Sequence, residues 1–515
     1  MSGRAETPAR RRSDLLVLGA IALGKLLLQL TAITRYGYFR DELYYLASTE
    51  HLDWGYVEHP PLSIAVLAMV RAALGDSLVA LRIVPALAGA ATVFLTGLIA
   101  RRLGGGRYAQ VLAALGATLS LVFLGTDGYF SMNCFDLLFW TLAVLVLIEA
   151  LDAGSPRHWL VLGVVLGLGL LNKISTLWFG GGLLVGLLFT PHRRRLATPW
   201  PWVAGAIAAA LFLPHVLWQA RNGWPTLEFM RNATSQKMAA VSLGKFLLDQ
   251  ILSMNPVTAP LWLAGLLFGL FARAARPWRI LSLLYLAVFA LLVAGGRSRA
   301  SYLAVAYPML LALGGIAWER SLSRPARAWL KAPVATAMVL LGLPLIPFAI
   351  PVLPVDTFIR YQKALGLQPR TEERHRMGAL PQQYADMFGW DEMAALVARA
   401  YGRLTPAEQA RCRVFGQNYG EAGAIDVLGR RLGLPRAMSG HNSYWLWGPG
   451  DFDGSVLIII GGDRADNAAF FDSLEVVGRT ESRYSMPYER GLEVSIARRP
   501  KMSLQGVWPR LKMYI

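Results

Sequence analysis

The sequence predicts a polytopic α-helical membrane protein that ends in a small soluble α/β domain. Three observations point there. Of 515 residues, 55% are hydrophobic and only 16% are charged, against about 25% charged in soluble domains. Apolar runs of about 20 residues, long enough to cross a bilayer as helices, recur up to residue 350. After Pro351 the pattern changes to short mixed segments.

The runs give about eleven spans: 14–34, 79–100, 108–125, 132–151, 158–171, 174–190, 200–219, 246–271, 278–294, 301–318 and 332–350. The adjacent short pair, 158–171 and 174–190, also reads as a broken hairpin. No A-x-A-like cleavage site follows the first run, so it reads as an uncleaved span. Counted from an inside N-terminus, every cytoplasmic segment is basic: Arg10–Arg12, "RRLGGGR", "DAGSPRH", "PHRRR", "FARAARPWR" and "WERSLSRPARAWLK". That alternation follows the positive-inside rule. It puts the loop 35–78 and the tail on the extracytoplasmic side, periplasmic in a Gram-negative bacterium. The expected domains are therefore a membrane domain over 1–350, which includes the outer loop 35–78, and an extracytoplasmic domain over 351–515. In the tail, "RCRVFGQNYGEAGAIDVLGRRLGLP" reads as a strand, a Gly-containing loop, a helix and a stop. "SVLIIIGG" reads as a buried strand.

The net charge of +18 divides into +15 before Pro351 and +3 after it. Base concentrated in short loops between spans matches cytoplasmic loops and anionic lipid. It does not call for nucleic acid. The two cysteines, Cys134 and Cys412, suggest neither a metal site nor a disulfide framework.

Carboxylates are scarce before Pro351, and a third of them fall within residues 37–62: Asp41, Glu42, Glu50, Asp53 and Glu58. Glu50 and Asp53 read as solvated charges. Asp41 and Glu42 lie in "YFRDELYYLA", a short amphipathic helix along the membrane surface. Partly desolvated there, such an acid can serve as a general base. Glu58 and His59 precede Pro60-Pro61, which stops a helix and fixes the chain. A second group is "TDGYFSMNCFDLLFW", with Asp127 in an outer connection, Asp136 just inside a span, and Asn133 a turn before it. An ionisable group inside a span is a functional candidate. A third group is cationic: Lys173 between two spans, and Arg297 and Arg299 in "GGRSRASYLAVAYP", with Tyr302 a turn later. These cations either snorkel or bind a phosphate at the membrane surface.

The stretches "YFRDELYYLA", "EHLDWGYVEHPPL", "SMNCFDLLFW", "LLNKIS" and "SYLAVAYP", taken in order, resemble the bacterial family 39 glycosyltransferases over roughly residues 14–350. The resemblance implies a GT-C fold, related to the protein O-mannosyltransferases and the lipid A aminoarabinose transferases. It implies a donor sugar on polyprenyl phosphate, such as undecaprenyl phosphate, and a hydroxyl acceptor on a lipid, glycan or protein of the cell envelope. Attack at the anomeric carbon inverts its configuration. Asp41 matches the catalytic acid of the first loop, with Glu42 as substitute or assistant. Asp136 matches a second acidic position, for which Asp127 competes. Glu58, His59, Lys173, Arg297, Arg299 and Tyr302 fall to the donor phosphate and sugar. His59 stands where relatives often have Lys, a departure that puts a permanent cation there in doubt. No metal site is assigned, but a divalent metal on Glu58, His59 and a distant residue such as His441 stays open. The tail stretches "NYGEAGAIDVLG" and "SGHNSYWLWGP" resemble the C-terminal region of one bacterial subgroup, without an implied role.

Three rivals remain at this stage. A transporter would place its polar groups near the midplane of inverted repeats. A glycan polymerase or ligase would take a diphosphate donor. A sensor would use the tail as its receptor and would not depend on Asp41.

Overall fold

A computed structural model describes residues 8–152, 154–369 and 373–515. Residues 1–7 and the side chains of residues 8–11, part of the basic leader, lie outside the described set. The chain divides into two compact units. One holds residues 1–33, 82–216 and 240–352; the other holds 34–81, 217–239 and 353–515. The loop expected within the membrane domain is thus grouped with the tail.

The first unit is helical. Among the described residues, seven helices of the chain are long and apolar enough to span a membrane: Arg12–Leu30, Leu78–Arg102, Met132–Asp152, Trp200–Arg221, Arg273–Ala294, Ala300–Leu322 and Pro325–Phe348. A pair, Leu243–Ser253 and Pro256–Phe271, is bent by 94° and makes an eighth if counted as one span. The remaining expected spans are interrupted, and each break has a local cause. The run 108–125 stops at Ser120, whose extended backbone separates the helices Arg107–Leu119 and Leu121–Thr126. The short pair is two helices, Pro156–Asn172 and Thr176–Leu188, parted where Lys173 is extended. The bend in 246–271 falls at Asn255, which has φ 71°. Its amide donates to the Leu119 carbonyl at 3.1 Å and its Oδ1 accepts from the Val257 N–H at 3.2 Å. Backbone released from a helix away from water needs such partners.

Helices Ala259–Phe271 and Tyr307–Leu322 cross closely enough that only glycine fits. A Cβ on Gly265 would stand 2.0 Å from the Leu310 carbonyl oxygen, and one on Gly314 2.0 Å from that of Leu261. Small residues at such crossings let helix backbones approach where no hydrophobic force drives association. Lys25 and Asp127 form a buried ion pair at 2.6 Å within this unit.

The second unit is built on a five-stranded sheet of order β2-β1-β3-β5-β4. The strands are β1 (Cys412–Gly416), β2 (Ala437–Met438), β3 (Val456–Ile460), β4 (Phe471–Arg479) and β5 (Glu493–Pro500). β1 pairs parallel with β2 and β3; β5 pairs antiparallel with β3 and β4. The two elements expected from sequence, the strand in "RCRVFG" and the fully buried strand in "SVLIII", are β1 and β3. The helix Tyr419–Val427 follows β1 and packs on the loop helix Arg40–Ser48. Gly423 permits this, since a Cβ there would stand 2.9 Å from the Leu43 carbonyl carbon.

Gly314→Ala should lower the unfolding midpoint of the detergent-solubilised protein, by about 1–3 kcal/mol as overpacking costs elsewhere. Gly180→Ala, where a Cβ meets nothing within 4 Å, should leave it unchanged. Equal midpoints for the two variants would contradict the close crossing.

Candidate active site

The loop helix Arg40–Ser48 begins with three charged residues that face different surroundings. Glu42 is buried, and its Oε2 accepts from the Phe39 N–H at 2.8 Å. That bond caps the start of its own helix and occupies the carboxylate expected to assist Asp41. Arg40 is held inside the unit. Its Nη1 donates to the Tyr488 hydroxyl at 2.7 Å, and its Nη2 lies 3.8 Å from Asp386 Oδ2. The Asp41 side chain is 35% exposed. Its Oδ1 accepts from the Tyr419 hydroxyl at 2.9 Å and lies 3.7 Å from Arg40 Nε. Of the three, Asp41 is the charge open to a ligand.

Glu58 is gripped on both oxygens. The Tyr44 hydroxyl donates to Oε2 at 2.8 Å, and the Asn442 amide donates to Oε1. Tyr44 in turn accepts from the Ser443 N–H at 3.2 Å, and the Val57 N–H donates to Ser443 Oγ at 3.1 Å. Asn442 has φ 51°, and its Oδ1 accepts from the Ile515 N–H at 3.0 Å, which fixes which way the amide faces. Burial pushes the Glu58 carboxyl up to about 7. His59 is buried, stacked on Tyr45 at 4.8 Å and tilted against Tyr56 at 5.0 Å. Its Nδ1–H donates to the Pro60 carbonyl at 3.0 Å.

Glu50 and Asp53 are exposed, as the sequence suggested, and each also has a partner. Arg430 donates to Glu50 at 2.5 Å, and the Trp218 indole donates to Asp53 at 2.7 Å.

These residues do not fit a divalent metal. His441 donates from Nε2 to the Ile515 carbonyl at 2.8 Å, and its Nδ1 accepts from the Tyr419 N–H at 3.3 Å. Both Glu58 oxygens already accept. Among the described residues, no group of three His, Cys, Asp or Glu is arranged to hold a metal ion.

The membrane unit carries its own polar cluster. Asp136 is buried; it accepts from Ser175 Oγ at 2.8 Å and lies 3.3 Å from Lys173 Nζ. Lys173 also donates to Asn133 Oδ1 at 2.8 Å and sits 5.6 Å from the Tyr302 ring centre. The break between two helices therefore delivers Lys173 to the start of the helix Met132–Asp152. Asp127, the competitor for the second acidic position, is taken by Lys25. Arg297 and Arg299 are half-buried just before the turn Ala300–Ala306 that carries Tyr302.

Sequence reasoning did not single out Tyr419, Asn442 and Ser443, which contact Asp41, Glu58 and Tyr44, although the two stretches containing them stood out. Asn418, which caps its helix by accepting from the Gly420 and Glu421 N–H groups, marks where Tyr419 starts. It also missed a set of buried acids. Glu421 and Glu489 share the Asn418 amide at 2.8 and 3.1 Å, and burial raises both carboxyls, along with those of Asp386 and Asp426. A raised carboxyl holds its proton more tightly in the folded state than in the unfolded one. Its stabilisation is therefore full below the ordinary carboxylate range and is lost as pH climbs to about 7, where Glu58 titrates. His441, lowered by burial from 6.5 to about 3, acts in the opposite sense as pH falls below 6.5. Burial lowers His51 as well, and five acids outweigh two imidazoles. The protein should melt higher at about pH 5.5 than at about pH 8, and Glu489→Gln should narrow that gap. A wild type that is more stable at the alkaline end would contradict the burial of these acids.

Known proteins locate this architecture. Residues 58–218 match the protein family described as dolichyl-phosphate-mannose-protein mannosyltransferase. An undecaprenyl phosphate-alpha-4-amino-4-deoxy-L-arabinose arabinosyl transferase of Pseudomonas aeruginosa (strain UCBPP-PA14) is 33% identical over 172 residues, 32% of this chain and 31% of that protein. A lipid A galacturonosyltransferase of Rhizobium johnstonii is 27% identical over 214 residues, 40% of this chain and 44% of that protein. The matched stretch thus spans less than half the length of these curated relatives. In fold the likeness runs through almost the whole chain. The crystal structure of ArnT from Cupriavidus metallidurans in the apo state has a TM-score of 0.59 at 16% identity, covering 94% of this chain and 98% of that one. The same protein bound to undecaprenyl phosphate gives 0.60 at 14% identity, covering 93% and 97%. Multi-pass architecture and a fold likeness that runs through almost the whole chain show a GT-C fold, and residues 58–218 carry the likeness to the mannosyltransferase family.

Proposed function

We propose that this protein moves a sugar from a polyprenyl-phosphate donor to a hydroxyl acceptor at the extracytoplasmic face of the bacterial inner membrane. The observation that carries the reading is Asp41. It is a partly exposed carboxylate of the acid-rich loop, held by a hydrogen bond at one oxygen, in a chain whose fold matches a protein crystallised with undecaprenyl phosphate. The N-terminus is cytoplasmic, and the loop and tail are extracytoplasmic, as the basic inner loops indicate.

In the proposed reaction, Asp41 takes the proton of the acceptor hydroxyl as its oxygen attacks the anomeric carbon. The bond from that carbon to the phosphate oxygen breaks, and polyprenyl phosphate leaves with the electron pair. The anomeric configuration inverts. Lys173, held by Asp136 and Asn133, offers its ammonium to the phosphate, with Arg297 and Arg299 as further cations and Tyr302 beside Lys173. Asp136 then acts by holding Lys173. Glu42, Glu58 and His59 shape the loop and carry no proton of the reaction. The names of the relatives, an aminoarabinose transferase and a lipid A galacturonosyltransferase, favour a lipid-borne acceptor.

The test is release of polyprenyl phosphate by the purified protein from a panel of radiolabelled polyprenyl-monophosphate sugars, with membrane extract as acceptor. Wild type should release it, and Asp41→Asn should be slower by about 10²–10⁴-fold with donor binding retained, the usual worth of a general base. Lys173→Ala should instead weaken donor binding by about tenfold or more. Saturable binding of a solute with no release from any donor would favour a transporter or sensor. Wild-type turnover in Asp41→Asn would remove the base assignment.

A further inference from the structure

Asp41 stands on a nine-residue helix, and the contact that fixes its carboxylate comes from the tail, 378 residues away. We propose that Tyr419 is the positioning residue for this base: its hydroxyl anchors Oδ1 and leaves Oδ2 to receive the acceptor's proton. The inference rests on the reading of Asp41 above and deepens it.

The phenol is well placed to act as a fixed anchor. Tyr419 is buried, with its ring 4.8 Å from Tyr44 and 4.8 Å from His441. The Arg40 guanidinium covers it at 5.4 Å. Its own N–H is held by His441 Nδ1. The two glycines that follow it set the distance. A Cβ on Gly420 would stand 2.5 Å from Arg40 Cγ, and one on Gly423 2.9 Å from the Leu43 carbonyl carbon. Side chains at either position would push the two helices apart and draw the phenol off the carboxylate.

The chemistry suits an anchor as well. Burial and the nearby carboxylates hold the Tyr419 hydroxyl well above its ordinary range, so it donates a proton to a hydrogen bond and does not accept one from substrate. A donor on one oxygen removes rotamer freedom from the reacting group, which is how orientation lowers a barrier. The charged groups facing Asp41 are Arg40 on its own helix, Glu58 farther along the loop, and Asp386. None of the three supplies a hydrogen bond to Asp41 among the described residues, so the phenol is the specific contact.

Tyr419→Phe keeps the ring and removes only the hydroxyl. It should lower kcat by about tenfold, as expected for a hydrogen bond to a charged group, and leave the donor KM unchanged. Its melting temperature should stay near that of wild type, because the packing remains. Asp41→Asn is assayed alongside. If Asp41→Asn is inactive while Tyr419→Phe keeps the wild-type kcat, the positioning role is overturned and the base reading stands. If Tyr419→Phe loses activity only in step with a lowered melting temperature and a raised donor KM, its role is structural and the inference is again overturned. If Asp41→Asn keeps turnover, the base reading falls and takes the inference with it.

Discussion

A carboxyl removed from water must be hydrogen-bonded or neutralised, and the second unit is organised around meeting that demand at Glu58. Tyr44 comes from the loop helix and Asn442 from the tail. Asn442 is oriented by the main chain at Ile515, and Tyr44 is oriented by the main chain at Ser443. The loop and the tail therefore cannot settle independently, because each supplies half of the coordination of one half-buried acid. Leaving such a group unsatisfied costs about 1–3 kcal/mol or more. The same docking brings the helix Tyr419–Val427 against Arg40–Ser48 and so fixes the setting of Asp41. The acid with no exposed role thus determines the geometry of the acid that has one.

The membrane unit solves a related problem by breaking helices. A lysine in the apolar interior of a span would be costly. Lys173 sits instead where the backbone is extended between two short helices, with an acid, an amide and an aromatic face around it. Asn255 performs the matching service for the backbone at the 94° bend. In both places a polar side chain occupies a break and satisfies what the helix released.

Much of this was legible in the sequence, for reasons that differ by residue. Asp41 and Glu58 stood out because carboxylates are rare before Pro351, and β3 because five consecutive β-branched or Leu residues suit a doubly buried strand. The span count was less legible because hydropathy sums over a window and does not see a single extended residue. Ser120 interrupts a run whose average stays apolar, whereas the break at Lys173 was legible between two short runs. Glu42 was ambiguous because an acid three residues into a helix can point outward or fold back to cap it, and only the backbone decides. Tyr419 was invisible because a tyrosine in a buried helix has many ordinary uses, and its partner lies 378 residues away.

Several carboxylates compete for the role of base, and their hydrogen bonds separate them. Glu42 closes its own helix; Glu58 accepts on both oxygens; Asp127 and Asp136 each face a lysine. Glu50 and Asp53 bind an arginine and an indole. A general base needs an ionised oxygen, access for the substrate and a fixed direction. A carboxylate with both oxygens occupied has direction without access, and one left untethered in solvent has access without direction. Asp41, a third exposed and held by one hydrogen bond at one oxygen, meets both conditions, and it does so only because the tail reaches back across the chain to hold it.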